Sequence, residues 1–302
     1  MAKRGPVWIE AALNGPWSRR LQPGLPVTVD EIVADGIACA RAGAAIVHVH
    51  ARDPETGEQR DDADLYAAIL EGIRSEVDAI VYPTIPLAGA PGHEAGERIE
   101  TRLAAVRQLA ARGLLEWCVV DPGSVNFLHA DDIAGNRDGF VYRNPADHIR
   151  AGLALCARAG AHPSYAIYEP GFIRIGAGLA RAMPGLPQPI YRLMLSDDFR
   201  FGFPPRRYAL DALLALLAEE APDAPWMLSG LAVDVMPLAG EAVARGGHLR
   251  VGLEDAPFAT ASSNPALVEA ARAAVEKAGA RAATPAEVRH ALNGAGGVSP
   301  GG

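Results

Sequence analysis

Short apolar or alternating runs recur along the chain, each followed by a stretch with the spacing of an amphipathic helix. Strands are predicted at 7–13 (VWIEAAL), 45–51 (AIVHVHA), 79–85 (AIVYPTI), 115–121 (LEWCVVD), 164–169 (SYAIYE), 189–196 (PIYRLMLS), 226–232 (WMLSGLA) and 249–255 (LRVGLED). Helices are predicted between them at 29–42, 62–76, 97–112, 145–159, 208–220, 237–245 and 265–278. The segment "NPADHIRAGLALCARAG" shows the punctuation: Asn and Pro open it and Gly closes it. Strands alternating with helices predict parallel βαβ units. In 302 residues, somewhat above the ~250 usual for such a fold, eight of them predict an α/β chain, a (β/α)8 TIM barrel. A doubly wound sheet is the alternative, but it usually carries GxGxxG after its first strand, where this chain has "LNGPWSRR". Pro and Gly are scattered through short loops, so a single domain is expected over 1–292, with "NGAGGVSPGG" (293–302) as a flexible C-terminal tail.

Composition narrows the function classes. Hydrophobic residues make up 49% and charged residues 21%, ordinary globular values. The apolar run of "MAKRGPVWIEAAL" is broken by Glu10, so no signal peptide is expected. No run approaches the ~18 apolar residues of a membrane span. Cys39, Cys118 and Cys156 are widely spaced in apolar segments, which suits buried thiols in a reducing cytoplasm. A net charge of −8 and a pI near 5.5 argue against a nucleic-acid partner. An anionic small substrate stays open, because a local arginine cluster can govern the field in a cleft. Lysine occurs only at Lys3 and Lys277, neither on a predicted strand, which argues against Schiff-base chemistry.

Barrels keep their catalytic groups at the carboxyl ends of the strands. In "IVHVHARDPETGE", His48 and His50 stand two apart, so alternation turns both imidazoles to one side. That begins a divalent metal site, which needs a third ligand. The last strand ends in Glu254 and Asp255, and closure sets strands two and eight on either side of strand one. Two histidines and Glu254 then make a zinc-type set with an open position. Alternation puts Arg250 on the side of Glu254, where a guanidinium can hold the carboxylate ionised. Thr84 and Ser124 each offer a hydroxyl to a substrate oxygen, and Glu169, ending strand five, is expected as a buried catalytic acid. Arg52 and Asp53 read as a structural ion pair of the following loop.

The chain resembles the β-keto acid cleavage enzymes, the family of 3-keto-5-aminohexanoate cleavage enzyme. The stretches that carry the resemblance are "LPVTVDEIVADGIACARAGAAIVHVHARDPETGE", "DPGSVNF", "NPADHIRAG", "YEPG", "GGHLRVGLED" and "SNPALVEAARAAVEKAGARAATPAEVRHAL", in the family's order. The resemblance implies a zinc-dependent barrel that condenses a β-keto acid with acetyl-CoA through a zinc-stabilised enolate, releasing acetoacetate and a new acyl-CoA. It implies zinc on His48, His50 and Glu254, an activating dyad of Arg250 and Asp255, and Thr84 as a substrate-binding hydroxyl. It also implies a homo-oligomer, a tetramer. Arg206, beside Arg207 after strand six, is a candidate partner for CoA phosphates.

The family's amino-acid branch has acidic residues near the substrate's ammonium group. By alignment those places hold Trp17 and Ala166, and Val119 stands where that branch has threonine. With no formal negative charge expected there, a keto acid with a neutral, largely apolar tail is predicted, with Trp17 in its pocket. A trimethylammonium over the Trp17 ring is the minority alternative. Two other functions stay open: a metal-dependent aldolase or lyase working without CoA, and a non-catalytic metabolite-binding barrel.

Overall fold

Each predicted strand run contains a strand, shorter than predicted in most cases, while the fifth and eighth begin earlier, at His162 and His248. The computed structural model describes residues 5–89 and 96–295. Its barrel strands are β1 (Ile9–Ala12), β2 (Ile46–Val49), β3 (Ile80–Pro83), β4 (Trp117–Val119), β5 (His162–Ile167), β6 (Ile190–Leu195), β7 (Trp226–Gly230) and β8 (His248–Val251). They pair in parallel in the order β3-β2-β1-β8-β7-β6-β5-β4. The two end strands, β3 and β4, meet through side chains, with the Tyr82 and Trp117 rings 5.6 Å apart. The result is a TIM barrel whose ring has one seam without a hydrogen-bonded ladder. Nearly every strand residue is buried, as expected where helices cover a parallel sheet.

The helices carry local start signals. Thr28 and Glu31 form a capping box for Val29–Ala42, and Asp62 caps Ala63–Glu76. The 97–112 segment breaks at Leu103 into Ile99–Arg102 and Ala104–Ala111. Three helices have no counterpart in the sequence reading, the short Ala130–Ala134 and two longer ones. In Pro170–Arg181, Gly171, Gly176 and Gly178 depress helix propensity, yet packing of Phe172, Ile173 and Ala177 carries it. The last helix, Pro285–Ala295, reaches into the stretch expected as tail, and 296–302 lie outside the described residues. An antiparallel hairpin, Val125–Phe127 with Phe140–Tyr142, also follows β4.

The barrel interior carries a polar layer. Tyr82 donates its hydroxyl to Glu10 Oε1 at 2.7 Å, and Arg250 Nη1 donates to the same oxygen at 2.7 Å. Arg192 Nη2 donates to the Ser164 carbonyl at 3.2 Å. The three cysteines are free and buried. Among the described residues, no helix is long and apolar enough to cross a membrane.

Candidate active site

His48 and His50 emerge from β2 on one side, as alternation requires, and Glu254 meets them from the turn after β8. Each Nε2 lies 3.6 Å from Glu254 Oε2. The three ligand atoms fall within 4.8 Å of one another. That separation is too long for a good hydrogen bond. It does suit donors set ~2.0–2.2 Å from one ion, which stand roughly 3.3–3.6 Å apart in tetrahedral geometry. His50 Nε2 and Glu254 Oε2 are buried without any hydrogen-bond partner. Two orphaned acceptors aimed at one point fit a cation.

The surroundings fix each ligand. His50 Nδ1 faces Gln59 Oε1 at 2.8 Å, while the Gln59 amide nitrogen gives 2.9 Å bonds to both carboxylate oxygens of Asp61. Asn14 bonds both the His50 amide and its carbonyl, at 3.0 Å each. Arg250 Nη2 donates to Glu254 Oε1 at 2.8 Å, leaving Oε2 for the histidine side. Glu254 packs against the Gly15 main chain, and its amide donates to the Ala12 carbonyl at 3.2 Å. Gly15 has φ +54, and a Cβ there would stand 2.5 Å from Glu254 Cγ. Gly252 has φ +146, and a Cβ there would run into the Ala12 carbonyl at 2.0 Å. Neither position tolerates a side chain.

Burial pushes His48 well below the ordinary imidazole pKa, so the ring is neutral, the form that could hold a metal. Burial also works to raise Glu254, but the Arg250 guanidinium overrides it and holds the carboxyl well below the usual range. Asp255 differs. Burial lifts it to about 6 against the pull of Arg250.

The set opens into a cavity of about 390 Å³ at the carboxyl end of the barrel. Thr84 and Trp17 line it, and Trp17 Nε1 donates to the Glu254 carbonyl at 2.7 Å. Val119, Ala166, Ile85, Leu87 and Leu231 make its walls largely apolar, and Phe127, Phe140 and Tyr142 of the hairpin extend them.

A family model described as beta-keto acid cleavage enzyme matches residues 6–293. The chain belongs to the β-keto acid cleavage enzyme family. Its relatives include the 3-oxoadipate:acetyl-CoA acetyltransferase of Cupriavidus necator, 30% identical over 295 residues, covering 95% of this chain and 94% of that protein. The 3-dehydrocarnitine:acetyl-CoA trimethylamine transferase of Rhizobium meliloti is 29% identical over 284 residues, 89% of each chain. Among solved structures, apo ObcA superposes with a TM-score of 0.70 at 20% identity, over 90% of this chain and 66% of that longer one. That likeness bears on the fold alone.

This β-keto acid cleavage enzyme does not gather every expected residue at the cavity. Arg250 and Asp255 do pair, Nε to Oδ2 at 2.8 Å and Nη2 to Oδ1 at 2.9 Å. They lie behind Glu254 and line a neighbouring cavity with Val233, Met236 and Leu267. Alternation does not explain this contact, because β8 ends at Val251 and a turn carries Glu254 back to Arg250. Glu169 is no buried strand acid. β5 stops at Ile167, and Glu169 precedes the helix Pro170–Arg181, its Oε1 accepting from the Gly202 amide at 3.0 Å. Ser124 is exposed and accepts from the Asn144 amide at 2.8 Å, holding the end of the hairpin. Arg206 bonds Asp197 at 3.1 Å and Arg207 pairs with Glu241 at 3.2 Å, and neither lines the cavity. Arg52 binds the Asn14, Gly15 and Gly57 carbonyls instead of Asp53.

Sequence reasoning missed Asp121, Asp132 and Arg192, all of which line the cavity. Negative charge is therefore present near Ala166, but it is already engaged. Asp121 accepts from Tyr142 Oη at 2.7 Å and from the Ala166 amide at 2.9 Å, and Asp132 accepts from Arg137 Nε at 2.8 Å. The signal was available: Asp121 ends a predicted strand as Glu254 does, and Arg192 is the lone charge in "PIYRLMLS".

Proposed function

We propose that this chain is a zinc-dependent acyl transferase that converts a β-keto acid and acetyl-CoA into acetoacetate and a new acyl-CoA. The observation that carries the reading is the buried His48, His50 and Glu254 set, with its orphaned acceptors, opening onto a largely apolar cavity. The family and the acetyl-CoA-dependent names of the relatives support the reaction class. Zinc, when bound, supplies Lewis acidity to a carbonyl oxygen and stabilises negative charge that develops there.

The chain's own residues supply the rest. Arg250 holds Glu254 Oε1 and so orients Oε2. Carbon attack on the thioester requires loss of a proton from the carbon between keto group and carboxylate, and Asp255, which lies behind Glu254 and outside the cavity lining, is assigned that proton by way of one intervening water. Burial supports the assignment, since a carboxyl pushed up to about 6 is a stronger base than an ordinary one. Thr84, at the cavity wall, is assigned a substrate oxygen. A bond forms between that carbon and the acetyl carbon as the acetyl–sulfur bond breaks; the released CoA thiolate then adds to the substrate's original keto carbon, the bond from that carbon to the central carbon breaks, and the proton returns to the central carbon, leaving acetoacetate and the new acyl-CoA. A cytoplasmic homotetramer is part of the proposal, and light scattering checks the subunit number.

The test mixes purified protein with a panel of β-keto acids, with and without acetyl-CoA, and follows products by mass spectrometry. Acetoacetate and a matching acyl-CoA are expected only with acetyl-CoA. Cleavage at the same rate in its absence would replace the transferase with a lyase.

A further inference from the structure

Arg192 stands on β6 in register with Ala166 of β5, and both line the cavity. Ala166 brings only a methyl group to the space beside the guanidinium. The Arg192 side chain is 4% exposed. Its hydrogen bond among the described residues runs from Nη2 to the Ser164 carbonyl at 3.2 Å, and the buried Nε finds no partner. Asp121 Oδ1 is 3.7 Å away, outside bonding distance, and both Asp121 oxygens already accept from other groups. Burial opposes the charge on Arg192, but Tyr82, Glu10 and Asp121 outweigh it, so the guanidinium stays charged.

A buried guanidinium presents a planar fork of donors, and leaving part of it unused is costly. A carboxylate is the group that such a fork matches. The acids nearby do not fill it, so the cavity's contents remain. Resting on the reading of a keto acid as substrate, we infer that Arg192 is the carboxylate-anchoring residue of this pocket. Two carboxylates qualify: the one beside the keto group, and a second at the far end of the molecule. In either case the residue reads the substrate by contact and sets which keto acids bind.

Isothermal titration of the enzyme, as purified with its metal and without acetyl-CoA, tests this. The probes are 3-oxohexanoate and 3-oxoadipate, matched in length and differing in a terminal methyl or carboxylate. Arg192→Met is expected to weaken binding roughly 10- to 100-fold, the size of a lost charge-assisted hydrogen bond. Equal loss for both probes assigns Arg192 to the carboxylate beside the keto group. Loss for 3-oxoadipate alone assigns it to the far one. Ala166→Asp, which brings a competing carboxylate to the guanidinium, is expected to produce the same loss and serves if Arg192→Met does not fold. Unchanged affinities in folded Arg192→Met, or failing that in Ala166→Asp, would overturn the inference. Arg192-dependent binding without acyl transfer would sink the transferase reading and leave this subsite standing.

Discussion

His50 Nδ1 and Gln59 Oε1 stand 2.8 Å apart, and that contact sets the tautomer of the ring. The Asp61 carboxylate can only accept, so the amide nitrogen of Gln59 must face it and the oxygen must face His50. Nδ1 then carries the proton, and Nε2 keeps its lone pair toward Glu254. Gln59→Leu is expected to weaken metal affinity about 10- to 100-fold while the fold survives. Competition against a chelator measures it; wild-type affinity would show that the tautomer needs no such support.

The ligands themselves should act as a unit. His48→Ala, His50→Ala and Glu254→Gln are each expected to lose metal and activity together, because two remaining ligands do not hold an open three-ligand site. Elemental analysis finding a full complement of zinc in all three folded variants would reject the assignment.

Asp255→Asn separates holding the metal from moving the proton. The amide keeps the shape of the side chain but cannot take a proton, so turnover should fall on the order of 10²–10⁴-fold with metal retained. A near-normal rate in the metal-replete variant would move the base into the substrate cavity itself, where Asp121 is the next acid to examine.

Stability should depend on pH through His248, at the opposite end of the barrel. Its ring stacks on Trp8 with centroids 4.0 Å apart, and its Nδ1 accepts from the Trp8 amide at 3.1 Å. Burial lowers its pKa from 6.5 to about 3. The unfolded chain therefore binds a proton that the folded chain refuses, and stability falls as pH drops from about 6.5 toward about 3. Melting temperatures across that window should decline more gently in His248→Asn than in the wild type. Parallel curves would assign the acid sensitivity to other groups.

Much of the fold was legible because parallel strands buried on both faces leave continuous apolar runs, and β2 shows its two histidines plainly. The meeting of His48, His50 and Glu254 followed from closure, which brings β2 and β8 to either side of β1. Less visible was what depends on three-dimensional wrapping. The hairpin strands are three residues each, too short for a periodic signal, though they supply much of the cavity wall. Glu169 and Ser124 sit beside strand ends in sequence, but a helix start and a hairpin claim them. Arg192 and Asp121 stand in apolar runs, and alternation alone does not say which face turns inward.

Gly15 and Gly252 leave the loops after β1 and β8 so close that Glu254 is gripped by main chain as well as by Arg250. Transplanting the three ligand side chains onto another barrel would therefore carry the chemistry without its mould. The carboxylate would arrive free to swing, and a faithful graft would have to bring both loops, bare glycines included.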